Sequence, residues 1–330
     1  MKAILEQLFQ YQQLSYDQAR DVLIRITAGQ YNQPQIAAFM TAFIMRPPAV
    51  EELSGFRDAL LGLCIPLKLT SEPAIDLCGT GGDGKNTFNI STLTAFVVAG
   101  AGQKVIKHGN YGVSSVSGSS NVLEALGYRF TNKESQLQKE LDLAGICFLH
   151  APLFHPSMKT VAPVRSALGV KTFFNMLGPL VNPAKPTYQL SGVFNLEIAR
   201  KYQYIFQRGE QEATIVYSLD GYDECTLTAE TRVLKTNQEF WLSPSDFGLS
   251  ENQPTAIIGG NNSAEAAQLF LTILKGQGTE AQQNTVIANA ALALQHFHNE
   301  SLIDSVARAR ESLQDKKAFQ IFKKLLEINL

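Results

Sequence analysis

Long apolar runs are missing from this sequence. No window reaches the ~18 apolar residues a membrane-crossing helix requires, which excludes a membrane-spanning reading. The opening MKAILEQLFQYQQL turns polar too soon for the apolar core of a signal peptide. Cysteine is sparse: Cys64, Cys78, Cys147 and Cys225 are scattered, with neither CxxC spacing nor a nearby His cluster. They read as small buried hydrophobes of a cytoplasmic, reducing compartment. Excess charge is absent too, with 28 Lys and Arg against 30 Asp and Glu, so nucleic acid is not an indicated partner. Familiar catalytic signatures are also lacking. There is no GxSxG elbow, no HExxH pair, and no spacing that nominates a Ser-His-Asp triad.

What is present is an ordinary globular composition, 45% hydrophobic over 330 residues, long enough for about two domains. Residues 1–70 carry helical punctuation. Ser15 with Gln18 forms a capping box, Asn32 can cap a helix holding Ile36, Phe39, Met40 and Phe43, and an apolar helical period runs from Val50 to Leu61. From residue 71 onward, short apolar runs (AIDLC, KVIK, ICFLH, QLSGVF, ATIVYSL) alternate with helical segments, the pattern of an α/β sheet. Thr131 with Glu134 predicts another capping box, and Gly145 a helix end. Part of 154–186 lacks strand character and is expected to join the helical domain; Thr226–Leu242 alternates like antiparallel hairpins.

Four motifs carry candidate chemistry. Gly79-Thr80-Gly81-Gly82-Asp83-Gly84 follows a strand and leads through Thr87 to Asn89-Ile90-Ser91-Thr92 at a helix start. Such a loop offers close backbone approach, free N–H groups and the positive end of a helix dipole, so an anion fits. No Gly-Lys-Ser/Thr closes it, which weakens the ATPase reading. Lys107-His108-Gly109-Asn110 and the serine-rich continuation through Ser114, Ser115 and Ser119 offer a cation and small donors on the next βα turn, opening on the same carboxyl edge. Asp220-Gly221-Tyr222-Asp223-Glu224 places adjacent carboxylates at a strand end, a donor set suited to Mg2+. Finally, the spacing predicts a helix from His155 that carries Lys159 and Arg165, where Arg165 could grip a carboxylate bidentately. His108 and His155 are open to either a general-base or a structural role.

GTGGDG, NIST, KHGN, HPSMK, PVRSALG, NMLGPLVNP and DGYDE, in this order between Gly79 and Glu224, resemble the anthranilate phosphoribosyltransferase family of tryptophan biosynthesis. The resemblance covers essentially the whole chain. It implies an α/β fold of the type III phosphoribosyltransferase and nucleoside phosphorylase kind: a small N-terminal helical domain, and a larger α/β domain over 71–330 with a mainly parallel central sheet. It also implies a homodimer paired through the helical domains.

For the site, the resemblance implies that Gly79, Gly82, Asp83, Thr87, Asn89, Ile90, Ser91, Thr92, Lys107, His108, Gly109, Asn110, Ser114, Ser115 and Ser119 hold phosphoribosyl pyrophosphate. Ser91, Asp223 and Glu224 would hold Mg2+, and Gly79, Asn110 and Arg165 would contact anthranilate. Lys107, Asn110 and Arg165 would stabilise the transition state, with no residue assigned as acid or base. Two departures stand out: Tyr111 follows KHGN where many relatives have Arg, and Lys171 also replaces an Arg. A pyrimidine nucleoside phosphorylase would not need the Asp223-Glu224 pair. A silent polyanion-binding relative would be expected to lose the loop glycines and gain a basic face.

Overall fold

The computed structural model describes residues 1–70, 73–112 and 116–329. Four helices open the chain: α1 (Lys2–Phe9), α2 (Tyr16–Thr27), α3 (Gln33–Met45) and α4 (Val50–Leu63). There follow β1 (Ala74–Leu77), α5 (Ile90–Gly100), β2 (Lys104–Gly109), α6 (Ser119–Ala125), α7 (Glu134–Ala144) and β3 (Ile146–His150). Two short helices, α8 (Ala151–Phe154) and α9 (Ala162–Leu168), precede β4 (Tyr188–Gly192), α10 (Leu196–Gln207), β5 (Glu212–Ser218), β6 (Thr231–Leu234) and β7 (Glu239–Leu242). Helices α11 (Ser263–Leu274), α12 (Glu280–Leu294), α13 (Leu302–Gln314) and α14 (Lys317–Asn329) close it. Among the described residues no helix is long and apolar enough to cross a membrane.

The chain forms two compact units, Met1–Pro66 with Ala151–Pro183, and Leu67–His150 with Ala184–Leu330. In the first, Ser15 and Asn32 form the capping boxes their sequence contexts specify. Its core is aromatic: Phe56 and Phe173 stack at 4.5 Å, and Phe39 and Phe43 meet the same rings edge-on. Phe173 thus ties the later segment to the helices. Buried Glu52 accepts hydrogen bonds from the Leu14 and Ala49 N–H groups and a two-pronged pair from Arg46.

In the second unit the strands run in the order β3-β2-β1-β4-β5-β6-β7, the first five parallel and the last two antiparallel. The chain leaves β1 toward β2 and β3, and later enters β4 on the other side. The crevice beyond the carboxyl ends of β1 and β4 is therefore a topological switch point, the usual ligand position in an open α/β sheet. One face of the sheet packs Ile75, Leu77, Val105, Leu190 and Val216 against α5 and α12.

Three local expectations are corrected. Helix α7 begins at Glu134 with Lys133 as its N-cap; Thr131 accepts the Lys133 N–H (3.1 Å), too early in the chain to cap it. No single helix runs from His155: a 3-10 turn over Pro156–Thr160 gives way to α9, because Pro163 lacks an N–H and is tolerated only in a helix's first turn. The four cysteines are free, and although Cys147 and Cys225 are buried, Cys64 and Cys78 are partly exposed at element ends.

Candidate functional site

Beyond β1 the chain is held close to β4. The N–H of Cys78 donates to the Leu190 carbonyl (3.0 Å), and that of Thr80 to the Gly192 carbonyl (2.9 Å). The glycine loop then turns through positive φ at Gly81, Gly82 and Gly84, which its sequence makes inexpensive. Gly81 donates its N–H to the Asp223 carboxylate at 2.6 Å. The amides of Thr80 and Gly81 therefore anchor the loop itself. The glycines also match the GxGxxG spacing of dinucleotide sites, but the following helix opens only at Ile90 rather than within the motif.

Asp223 sits between two glycines that cannot be enlarged. A Cβ at Gly79 would lie 2.5 Å from Asp223 Oδ2, and one at Gly192 would lie 1.6 Å from the Asp223 carbonyl oxygen. Burial, and then the Asp83 carboxylate hydrogen-bonded to it, push the Asp223 carboxyl up to about 7. Glu224 is likewise raised by burial and by Asp223, while the Ser91 N–H donates to it. Lys107 is only 2% exposed, and its ammonium donates to the Leu77 carbonyl and to Ser91 Oγ (3.3 Å). The structure thus brings Ser91, Lys107, Asp223, Glu224 and Asp83 to one sheet edge.

Carboxylates crowded and raised in this way suit a divalent cation, whose charge would relieve their repulsion. Among the described residues no three acidic, His or Cys side chains converge on a metal position. A cation here would take two carboxylates, the Ser91 hydroxyl and oxygens of the substrate itself.

Other predicted residues make contacts within the protein or lie exposed beside it. The Asn89 side chain donates to the Ser117 carbonyl (3.0 Å), joining the first loop to the second. Thr87 pairs with Ile258 in an isolated bridge. Ile90 is in the core with its N–H on the Phe88 carbonyl (2.7 Å), and the Thr92 side chain is buried at the start of α5. His108 is buried, its N–H on Asp76 (3.1 Å), and Gly109 lies against Ser119. Asn110 is exposed; Ser119 donates to its carbonyl (3.2 Å). Ser114 and Ser115 lie outside the described residues.

Arg165, in the helical unit, lies 5.3 Å over the Phe174 ring, and among the described residues it has no acidic partner. Burial lowers its pKa, but a guanidinium stays charged in proteins, so it keeps the chemistry to pair with a carboxylate. His155 is buried and its Nε2 donates to the Val181 carbonyl (2.9 Å), a pin between two segments of that unit.

Burial lowers the His155 pKa to about 4. Its unfolded value of about 6.5 is higher, so the unfolded chain binds the extra proton first and stability falls as pH drops from about 6.5 to 4. The linked loss is on the order of 3 kcal/mol. Denaturant unfolding of His155→Gln between pH 7.5 and 4.5 is expected to show a flatter pH slope than the parent; identical slopes would exclude this source.

Three contributors had no signal in the sequence motifs. Asp76 bonds across to the second loop, and Asn121 Oδ1 gathers the N–H groups of Gly112 (2.9 Å) and Gly118 (3.0 Å). The Gly259-Gly260 turn braces the first loop, Gly259 donating to the Asn86 carbonyl (2.7 Å).

Against known proteins, residues 2–64 match the helical bundle domain, and residues 71–319 the a/b domain, of a glycosyl transferase family. The chain is 55% identical over 329 residues to an anthranilate phosphoribosyltransferase of Christiangramia forsetii, covering 100% of this chain and 99% of that one. It is 54% identical over 330 residues to one of Flavobacterium psychrophilum, with both chains fully covered. Among solved structures, an anthranilate phosphoribosyltransferase of Thermus thermophilus superposes with a TM-score of 0.91 at 32% identity, covering 98% of each chain. One of Saccharomyces cerevisiae, in complex with PRPP and Mg, gives 0.90 at 27% identity, covering 98% of this chain and 96% of that chain.

Proposed function

This chain belongs to the anthranilate phosphoribosyltransferase branch of that glycosyl transferase family, and from that premise we propose how its own residues perform the reaction. The 5-phosphoribosyl group passes from phosphoribosyl pyrophosphate to the amine of anthranilate, and pyrophosphate leaves, a step of L-tryptophan biosynthesis. The observation that carries the reading is the Asp223-Glu224 pair, Asp223 buried and Glu224 half-buried, seated under the glycine loop at the switch point.

Departure of pyrophosphate leaves positive charge on the ribose and puts negative charge on the leaving oxygens, so rate comes from stabilising both changes. Asp223, Glu224 and Ser91 would hold Mg2+, which supplies charge neutralisation of the pyrophosphate when bound. Gly79, Gly82, Asp83 and the start of α5 cradle the phosphate. Lys107 fixes Ser91 from behind and adds a buried positive charge. Anthranilate's aromatic amine already carries its lone pair at neutral pH, so a strong protein base is unnecessary and positioning dominates. Arg165 takes its carboxylate, with Gly79 and Asn110 as the further contacts. Buried His108 and His155 serve structure.

Calorimetric titration of phosphoribosyl pyrophosphate with and without Mg2+ tests the phosphate half of this reading. Metal-strengthened binding is expected; equal affinity in both conditions would contradict it.

We also propose a homodimer. Phe9, Tyr11 and Met45 are 61%, 71% and 73% exposed, and with Leu8, Ala38 and Ala42 they border one apolar groove along α1 and α3. A second copy covering that groove would remove this surface from water. Light scattering is expected to give a dimer for the parent and a monomer for Met45→Glu with Phe9→Asp; a monomeric parent would reject the interface. With its free cysteines, the enzyme is assigned to the cytoplasm, acting on small molecules rather than nucleic acid.

A further inference from the structure

At the carboxyl end of β2 the chain passes through Asn110-Tyr111-Gly112 and returns into α6. The two limbs are laced together. The Asn110 carbonyl accepts the Ser120 N–H (3.2 Å) and the Ser119 hydroxyl (3.2 Å), while Asn121 Oδ1 holds Gly112 and Gly118. Tyr111 is fastened on the outside of this turn. Its hydroxyl donates to Glu124 at 2.8 Å, and its ring meets His150 edge-on, with centroids 4.7 Å apart.

His150 is itself fixed. It shares a hydrogen bond of 2.8 Å with Ser120 Oγ and stacks on Phe130 at 4.7 Å, and burial lowers its pKa, so it is a neutral ring at neutral pH. Although 40% exposed, Tyr111 therefore has both its ring and its hydroxyl committed. Its main-chain N–H donates to Asn110 Oδ1 at 2.8 Å. A backbone N–H can face only the oxygen of that amide, so the orientation of Asn110 is determined: oxygen toward its own chain, NH2 outward.

We infer that Tyr111 is a positioning residue for the acceptor substrate: clamped to Glu124 and His150, it turns Asn110 so that the amide NH2 presents donors to the carboxylate of anthranilate. This rests on the assignment of Asn110 as an anthranilate contact in the reading above. The clamp acts through Asn110 and touches no reacting atom. Its loss should therefore appear in acceptor binding rather than in the chemical step.

The test is steady-state kinetics with melting curves on Tyr111→Phe, Tyr111→Ala, Glu124→Gln and the Phe/Gln double variant. Tyr111→Ala is expected to raise the anthranilate KM roughly tenfold, with kcat and the phosphoribosyl pyrophosphate KM within about twofold of the parent. Tyr111→Phe, which keeps the ring and the fold, and Glu124→Gln should each raise it about threefold, and the double variant no further, because they share one hydrogen bond. An unchanged anthranilate KM in Tyr111→Phe and Tyr111→Ala overturns the inference. So does a parallel rise in both KM values with a lowered melting temperature, the mark of a merely loosened loop. A parent that neither binds nor consumes anthranilate overturns the parent reading, and this inference with it.

Discussion

Changing Asp223 to Asn and Glu224 to Gln together is expected to lower kcat/KM by at least about a thousandfold and to abolish activation by Mg2+. The magnitude follows from the position of the pair. Asp223 is buried and Glu224 half-buried at the sheet edge, both carboxyls are raised by desolvation and by a neighbouring carboxylate, and Asp223 also anchors Gly81. The amide replacements keep shape and hydrogen-bonding capacity while removing the charge that a cation needs. They also remove the repulsion, so the variant should fold at least as well as the parent in the absence of metal. A variant that folds and is still activated by Mg2+ would place the metal elsewhere.

Arg165→Ala is expected to raise the anthranilate KM by roughly 10- to 100-fold, the worth of a charge-assisted pair, and to leave the phosphoribosyl pyrophosphate KM nearly unchanged. The guanidinium is already partly desolvated against Phe174 and has no acidic partner among the described residues, so a substrate carboxylate would be its first counter-ion. Arg165→Lys should recover little, because an ammonium restores charge without the planar fork. Equal rises in the two KM values would remove Arg165 from the acceptor side.

Much of the fold was legible because it is written in local chemistry. Ser15 and Asn32 announce helix starts, Gly145 announces a helix end with its left-handed conformation, and five short apolar runs become the five parallel strands. The candidate loops were legible for the same reason: glycines, hydroxyls and paired carboxylates sit at strand ends. What stayed hidden depends on partners distant in sequence. Gly192 reads as an ordinary strand residue until Asp223 lies against it, and Asp76 reads as part of a buried strand until it receives the His108 N–H.

Two misread positions have local causes. The helical period after His155 was interrupted because Pro156 and Pro163 each reset the backbone. Thr131 failed as a cap because its hydroxyl found the nearer Lys133 N–H first.

The measurement that tests the central claim most directly is the loss of anthranilate fluorescence on adding phosphoribosyl pyrophosphate, with Mg2+ and in a metal-free control. The account predicts consumption of anthranilate that requires the metal. Undiminished fluorescence from a protein that still binds phosphoribosyl pyrophosphate by calorimetry would contradict it, leaving the phosphate loops correct and the acceptor wrong.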